Sequence, residues 1–196
     1  MNRKTSFLVF FTALYLFLFT FWAILGKNYE FLYYIIILII LCLILLLYHK
    51  PLLTKYIAMG LTGVALLHLF GGFWKIHDIR LYNWYLFSGF RYDNLVHVSA
   101  SFVAAFVCYN LLKPHLAEHI RFNTFFMSFI LIAMVCGIGA FNEIIELGGV
   151  VFLGAAKEVG GYMNNALDLV FNFLGAALAC LCLYLYRRFQ SKRMEM

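Results

Sequence analysis

Six stretches of this chain, 6–25, 31–48, 56–74, 93–112, 124–146 and 165–186, contain no lysine or arginine and few other charges. Each is close to the ~20 apolar residues that a helix needs to cross a hydrocarbon core about 30 Å thick. Lipid offers no partner to backbone N–H and C=O groups, so a spanning segment must satisfy them internally, as a helix does. The pattern predicts an all-α, polytopic membrane protein with six transmembrane helices in one bundle. A composition of 65% hydrophobic and 12% charged residues leaves too little polar surface for a water-soluble body. With no repeat and no shift in composition to mark a linker, residues 1–196 read as a single transmembrane helical domain. Arg3 and Lys4 precede the first stretch as they would a signal peptide, but its apolar run is too long and no small-residue cleavage site follows Leu25. It is expected to stay as a signal-anchor helix.

The formal net charge of +6 raises the question of nucleic acid, yet the basic residues are spread over every loop and form no stripe. No nucleic-acid partner is expected; membrane lipids are. Ten of the fifteen Lys and Arg fall on the N-terminus, the 49–55 and 113–123 loops and the C-terminal tail, against five on the other three loops. The positive-inside rule then places both termini in the cytoplasm. The loop 75–92 falls on the outer side, and its Tyr82, Trp84, Tyr85 and Phe87 suit the membrane interface. The five cysteines all lie in apolar stretches and read as small core residues. The glycine pairs at 71–72, 148–149 and 160–161 read as helix breakers where outer loops begin or turn. Gly175 and Ala179, four apart, offer a small face for close helix approach.

Chemistry is concentrated in the acids. Asp93, Glu143, Glu146 and Asp168 lie in or at the ends of the last three stretches, and the topology places them at one depth, in the outer half of the bilayer. Asp93 and His97 are spaced i, i+4, Glu143 and Glu146 i, i+3, and Asp168 and Asn172 i, i+4, so each pair shares one helix face. A carboxylate in hydrocarbon is costly, so these faces should line the protein interior and find compensation in a cation, in protons, or in Arg80 and Arg91 from the outer loop. Carboxylates with imidazole suit Zn, Mn or Fe. Asp93, His97, Glu143, Glu146 and Asp168 are therefore the candidate catalytic residues. His97, Glu143, Glu146 and Asp168 are the candidate ligands of a divalent metal ion, with Asp93 orienting His97 and with His68 and Asn172 standing behind them. The opposing reading makes these acids hydrated helix ends. His115, Glu118 and His119 match an H-x-x-E-H metalloprotease pattern, but they stand in a short loop after Pro114 on the cytoplasmic side and read as solvated.

The string Tyr92-Asp93-Asn94-Leu95-Val96-His97, followed by Glu143-x-x-Glu146 and Asp168-x-x-x-Asn172-x-x-Gly175-Ala176, resembles the YjdF-like family of bacterial inner-membrane proteins and, more distantly, the VanZ-like group. The resemblance covers roughly residues 91–177. Where YjdF-like proteins tend to carry Trp-Asp before the last acid, this chain has Met163-Asn164, and VanZ-like proteins usually have Gln at the place of Glu146. It implies a multi-pass protein of the cell (inner) membrane with a role in the envelope. The leading expectation is a cation-dependent enzyme or binder acting on a lipid or cell-envelope precursor in the outer leaflet. A small proton- or cation-coupled transporter and a structural or scaffolding subunit are the alternatives.

Overall fold

The structure, a computed structural model, describes residues 3–48, 54–154 and 161–194; Lys50, Lys157 and Gly160 lie outside these. The six long apolar helices are α1 (Arg3–Leu25), α2 (Tyr29–Tyr48), α3 (Lys55–Phe73), α4 (Tyr92–Leu112), α6 (Thr124–Leu153) and α7 (Tyr162–Met194), and a short α5 (Glu118–Phe122) precedes α6. Their outward faces carry bare aromatic and aliphatic side chains such as Phe17, Phe129, Phe141 and Phe173. That surface would be untenable in water and is what lipid requires. The protein is a multi-pass helical membrane protein.

Short polar signals set the helix boundaries. Thr54 caps α3 by accepting from the Ile57 amide at 3.3 Å, and Asn123 caps α6 by accepting from the Phe126 amide at 3.1 Å. At the start of α4, the Asn94 side chain accepts from the Arg91 amide at 2.8 Å. α6 runs past Glu146 to Leu153 and stops at Gly154, whose left-handed φ of 70° a residue without Cβ adopts freely. Between α3 and α4 the chain forms two small antiparallel hairpins, β1–β2 (Lys75–Ile76, Ile79–Arg80) and β3–β4 (Tyr85–Phe87, Phe90–Arg91), joined through a 3-10 turn at Leu81–Asn83. The 75–91 loop is thus folded over the helix ends.

The helices pack as two groups. Tyr15, Leu16, Phe19, Phe31, Ile35 and Leu69 form a core among α1, α2 and α3. Ala105, Cys108, Met127, Leu131, Ala176 and Ala179 form another among α4, α6 and α7. Glycines act here as clefts. A Cβ on Gly175 would run into the Val98 carbonyl and Ser101, so the small face of α7 is where α4 comes closest. Gly71 and Gly72 stay inside the last turns of α3, buried beneath the Tyr82 and Phe31 rings, and Gly148 and Gly149 stay inside α6 beside the Tyr33 and Tyr34 hydroxyls. The reading of these pairs as helix breakers is corrected: each removes a side chain so that an aromatic from another element can dock.

Candidate functional site

At the end of the bundle that carries the hairpins, α4, α6 and α7 bring the predicted acids together. The first turn of α4 supplies Asp93 and the next supplies His97, the i, i+4 spacing placing one above the other. His97 Nε2 lies 3.5 Å from Asp93 Oδ1 and 3.6 Å from Asp168 Oδ1 on α7. Asp168 is completely buried, and Asp93 and His97 are buried with it. Among the described residues, two groups could hold a metal ion, Asp93, His97 and Asp168 in one and His97, Glu143 and Glu146 in the other, each with ligand atoms within 4.8 Å of one another. His97 belongs to both, so the five side chains are one connected cluster.

Hydrogen bonds fix the imidazole. Asn172 Oδ1 faces His97 Nδ1 at 3.2 Å and accepts from the Ser101 hydroxyl at 2.7 Å. A carbonyl oxygen only accepts, so His97 Nδ1 carries a hydrogen and donates. Nε2 is left to face the two aspartates, where it presents either a lone pair to a cation or a second proton to the carboxylates. Gly139 of α6 makes room for this arrangement, since a Cβ there would strike the Asn172 amide. Asn164 donates to Asp168 Oδ2 at 2.8 Å and lies 3.5 Å from Asp93 Oδ2, while Asn142 donates to Glu146 Oε1 at 2.8 Å.

Several buried atoms are left over. Both carboxylate oxygens of Glu143, Oδ1 of Asp168 and Nδ2 of Asn172 are shut off from solvent with no hydrogen-bond partner. Orphaned buried polar atoms are rare and need an explanation; here the three carboxylate oxygens, all acceptors, belong to residues of the two ligand groups.

His68 is not in either group. It faces a narrow cleft of about 40 Å³, whose wall also includes Glu30, Arg80, Tyr82, Asp93 and Glu146. Its Nδ1 meets the Tyr82 hydroxyl at 2.5 Å, which holds the loop turn onto α3. Enclosure, and then the nearby Asp93 carboxylate, push the Tyr82 phenol well above its ordinary range, so its O–H persists at any working pH. Arg80 sits 2.7 Å from Glu30 on the cleft wall, and Arg91 lies over the Tyr85 ring at 5.8 Å. The H-x-x-E-H match is exposed around Glu118, which pairs with Arg121 within α5 at 3.2 Å.

Sequence reasoning passed over Ser101, Asn142 and Asn164 as site residues. A signal was present: His97 and Ser101, Asn142 and Glu146, and Asn164 and Asp168 are all spaced i, i+4. Tyr82 carried no such signal, because its contact with His68 crosses from a loop to a helix.

Comparison with curated proteins and with solved structures finds no match. The match that is found is to a family, described as a predicted membrane protein (DUF2238), and it takes in residues 7–189, consistent with the YjdF-like resemblance of the motifs around Asp93, His97 and Asp168. With nearly the whole chain matched, and with six apolar helices around a buried acidic cluster, the protein belongs to the DUF2238 family of predicted membrane proteins.

Proposed function

We propose that this is an inner-membrane protein with both termini in the cytoplasm, whose acidic cluster holds a divalent metal ion (Zn, Mn or Fe) and with it binds or transforms a lipid or cell-envelope precursor in the outer leaflet. The observation that carries the reading is Asp168: fully buried, with Oδ1 lacking a hydrogen-bond partner and 3.6 Å from His97 Nε2. A cation between them would satisfy both. His97, Glu143, Glu146 and Asp168 are the ligands, Asp93 orients the imidazole or joins them, and Asn172 holds the Nδ1–H.

The same elements argue against a transport path. Beyond Ser101 and Asn172, toward the end that carries the termini, the space among α4, α6 and α7 is filled by Ala105, Cys108, Met127, Leu131, Ala176 and Ala179. Such packing offers an ion no polar stepping stones. A cleft beside the cluster at one end favours a reaction or binding site over a conduit. The envelope role leans on the VanZ-like resemblance.

Elemental analysis of protein purified in detergent without chelators tests the metal. The expected result is a stoichiometric divalent ion, or its uptake on adding Zn, Mn or Fe, with reduced uptake in Asp168→Asn. Less than about one tenth of an ion per chain with no uptake overturns the reading. For the substrate, metal-loaded protein in nanodiscs is incubated with envelope lipid extract. Depletion or retention of a lipid, absent with His97→Ala, is expected.

A further inference from the structure

Asp93, Glu143, Glu146 and Asp168 supply four carboxylates around His97. Unpartnered buried carboxylate oxygens stand in both groups, Oδ1 of Asp168 in one and both oxygens of Glu143 in the other. Buried acceptors without a donor are rare, and a cation in each group would satisfy both sets.

The geometry divides the ligands in the same way. His97 has one nitrogen to give, because Nδ1 is taken by Asn172 Oδ1 at 3.2 Å, and the remaining Nε2 faces Asp93 and Asp168 at 3.5 and 3.6 Å. That makes a compact three-ligand pocket between α4 and α7. Glu143 and Glu146, one turn apart on α6, form a second pair whose ligand atoms lie within 4.8 Å of each other and of a His97 ring nitrogen. Ligand atoms of a four-coordinate ion with bonds of about 2.1 Å lie ~3.4 Å apart, a spacing that the 3.5 and 3.6 Å separations of His97 Nε2 from Asp93 and Asp168 already approach. Asp93 and Glu146, one from each group, both reach the cleft wall, so each pocket has access to the same opening.

Resting on the cation of the proposed function, we infer that the cluster is a two-cation centre, with one divalent ion between Asp93, His97 and Asp168 and a second held by Glu143 and Glu146 beside His97. Carboxylate-rich pairs of ions of this kind are built inside helical bundles from inward-facing Glu, Asp and His. Two adjacent ions sharing one opening suit a ligand that bridges them through anionic oxygens, a phosphate ester foremost.

Manganese(II) alone is the probe, with full-length protein in detergent titrated to saturation and followed by elemental analysis and electron paramagnetic resonance. The parent should take up two ions per chain. The six-line signal of isolated Mn(II) should be several-fold weaker per bound ion at saturation, because neighbouring spins couple. Glu143→Gln and Asp168→Asn should each drop to one ion per chain, with the isolated-ion signal restored. One ion per parent chain, or two with undiminished isolated-ion signals, overturns the two-cation centre while leaving the single-cation reading intact. No uptake overturns both. Two ions retained by both variants overturns the ligand assignment. If a variant fails to fold, the stoichiometry and spectrum of the parent decide.

Discussion

At the scale of single residues, the chemistry of the site rests on where two atoms of His97 point. Asn172 Oδ1 accepts from Ser101 as well as from Nδ1, so it both orients the ring and leaves Nε2 for the aspartates. Partners that orient a metal-bound histidine typically contribute 10- to 100-fold to metal affinity. Asn172→Ala is therefore expected to weaken Mn(II) or Zn(II) binding by about that factor while the protein stays folded, read by isothermal titration. An unchanged affinity would show that Nε2 needs no orienting. Tyr82 makes a different kind of contact. Its phenol stays protonated because enclosure raises its pKa, and removing the hydroxyl leaves His68 Nδ1 without its partner. Tyr82→Phe should cost about 1 kcal/mol and lower the thermal midpoint by a few degrees. The residue types Asp, Glu and His on common helix faces were legible from spacing alone. Ser101, Asn142 and Asn164 were legible only in hindsight from the same spacing, because a neutral polar residue near a helix end has many uses that do not involve a site.

At the scale of elements, close approach decides the packing. α7 meets α4 at Gly175, where a Cβ would collide with the Val98 carbonyl, and Phe31 of α2 docks in the notch at Gly72 of α3. Adding volume to such contacts forces backbone shifts that usually cost about 1–3 kcal/mol. Gly175→Ala should also part α4 from α7 and so separate His97 from Asp168, weakening metal uptake. Gly72→Ala, in the other group of helices, should lower stability in detergent with a smaller effect on the metal. Thermal unfolding and metal titration of the two variants separate these outcomes; equal effects of both on uptake would mean that the two helix groups do not act independently. The pairing of glycines with aromatics across elements was not visible in the sequence, where Gly-Gly reads as a break. A break and a notch use the same absent side chain, and only the neighbour that fills the space tells them apart.

At the scale of the whole molecule, the cluster couples proton and metal chemistry to stability. Metal binds carboxylate and neutral imidazole, so protons compete with it and its binding releases protons. A ligand that binds only the folded state stabilises it in proportion to its affinity. The rise in thermal midpoint on adding Mn(II) is therefore expected to be larger at pH 8 than at pH 6, and to be abolished at both by His97→Ala. A metal-induced shift that does not depend on pH would mean that the ligands are not the titratable groups named here. The orientation has its own test: a cysteine introduced at Gln190, in a background lacking Cys182, should react with an impermeant thiol reagent only from the cytoplasmic side. What the sequence by itself determined is the solvent and the secondary structure, six helices for lipid, because backbone polarity in hydrocarbon admits little else, and the spacing of Asp93, His97, Glu143, Glu146 and Asp168 along their helices. What only the tertiary structure decided is that the three faces carrying those residues turn toward one another, that Asn172 takes Nδ1 of His97, and that the folded loop between α3 and α4 holds Tyr82 over His68. Periodicity specifies the face of one helix on which a side chain stands. The rotation of each helix about its axis is set by long-range packing, here at Gly139 and Gly175, and that information is distributed over residues far apart in the chain.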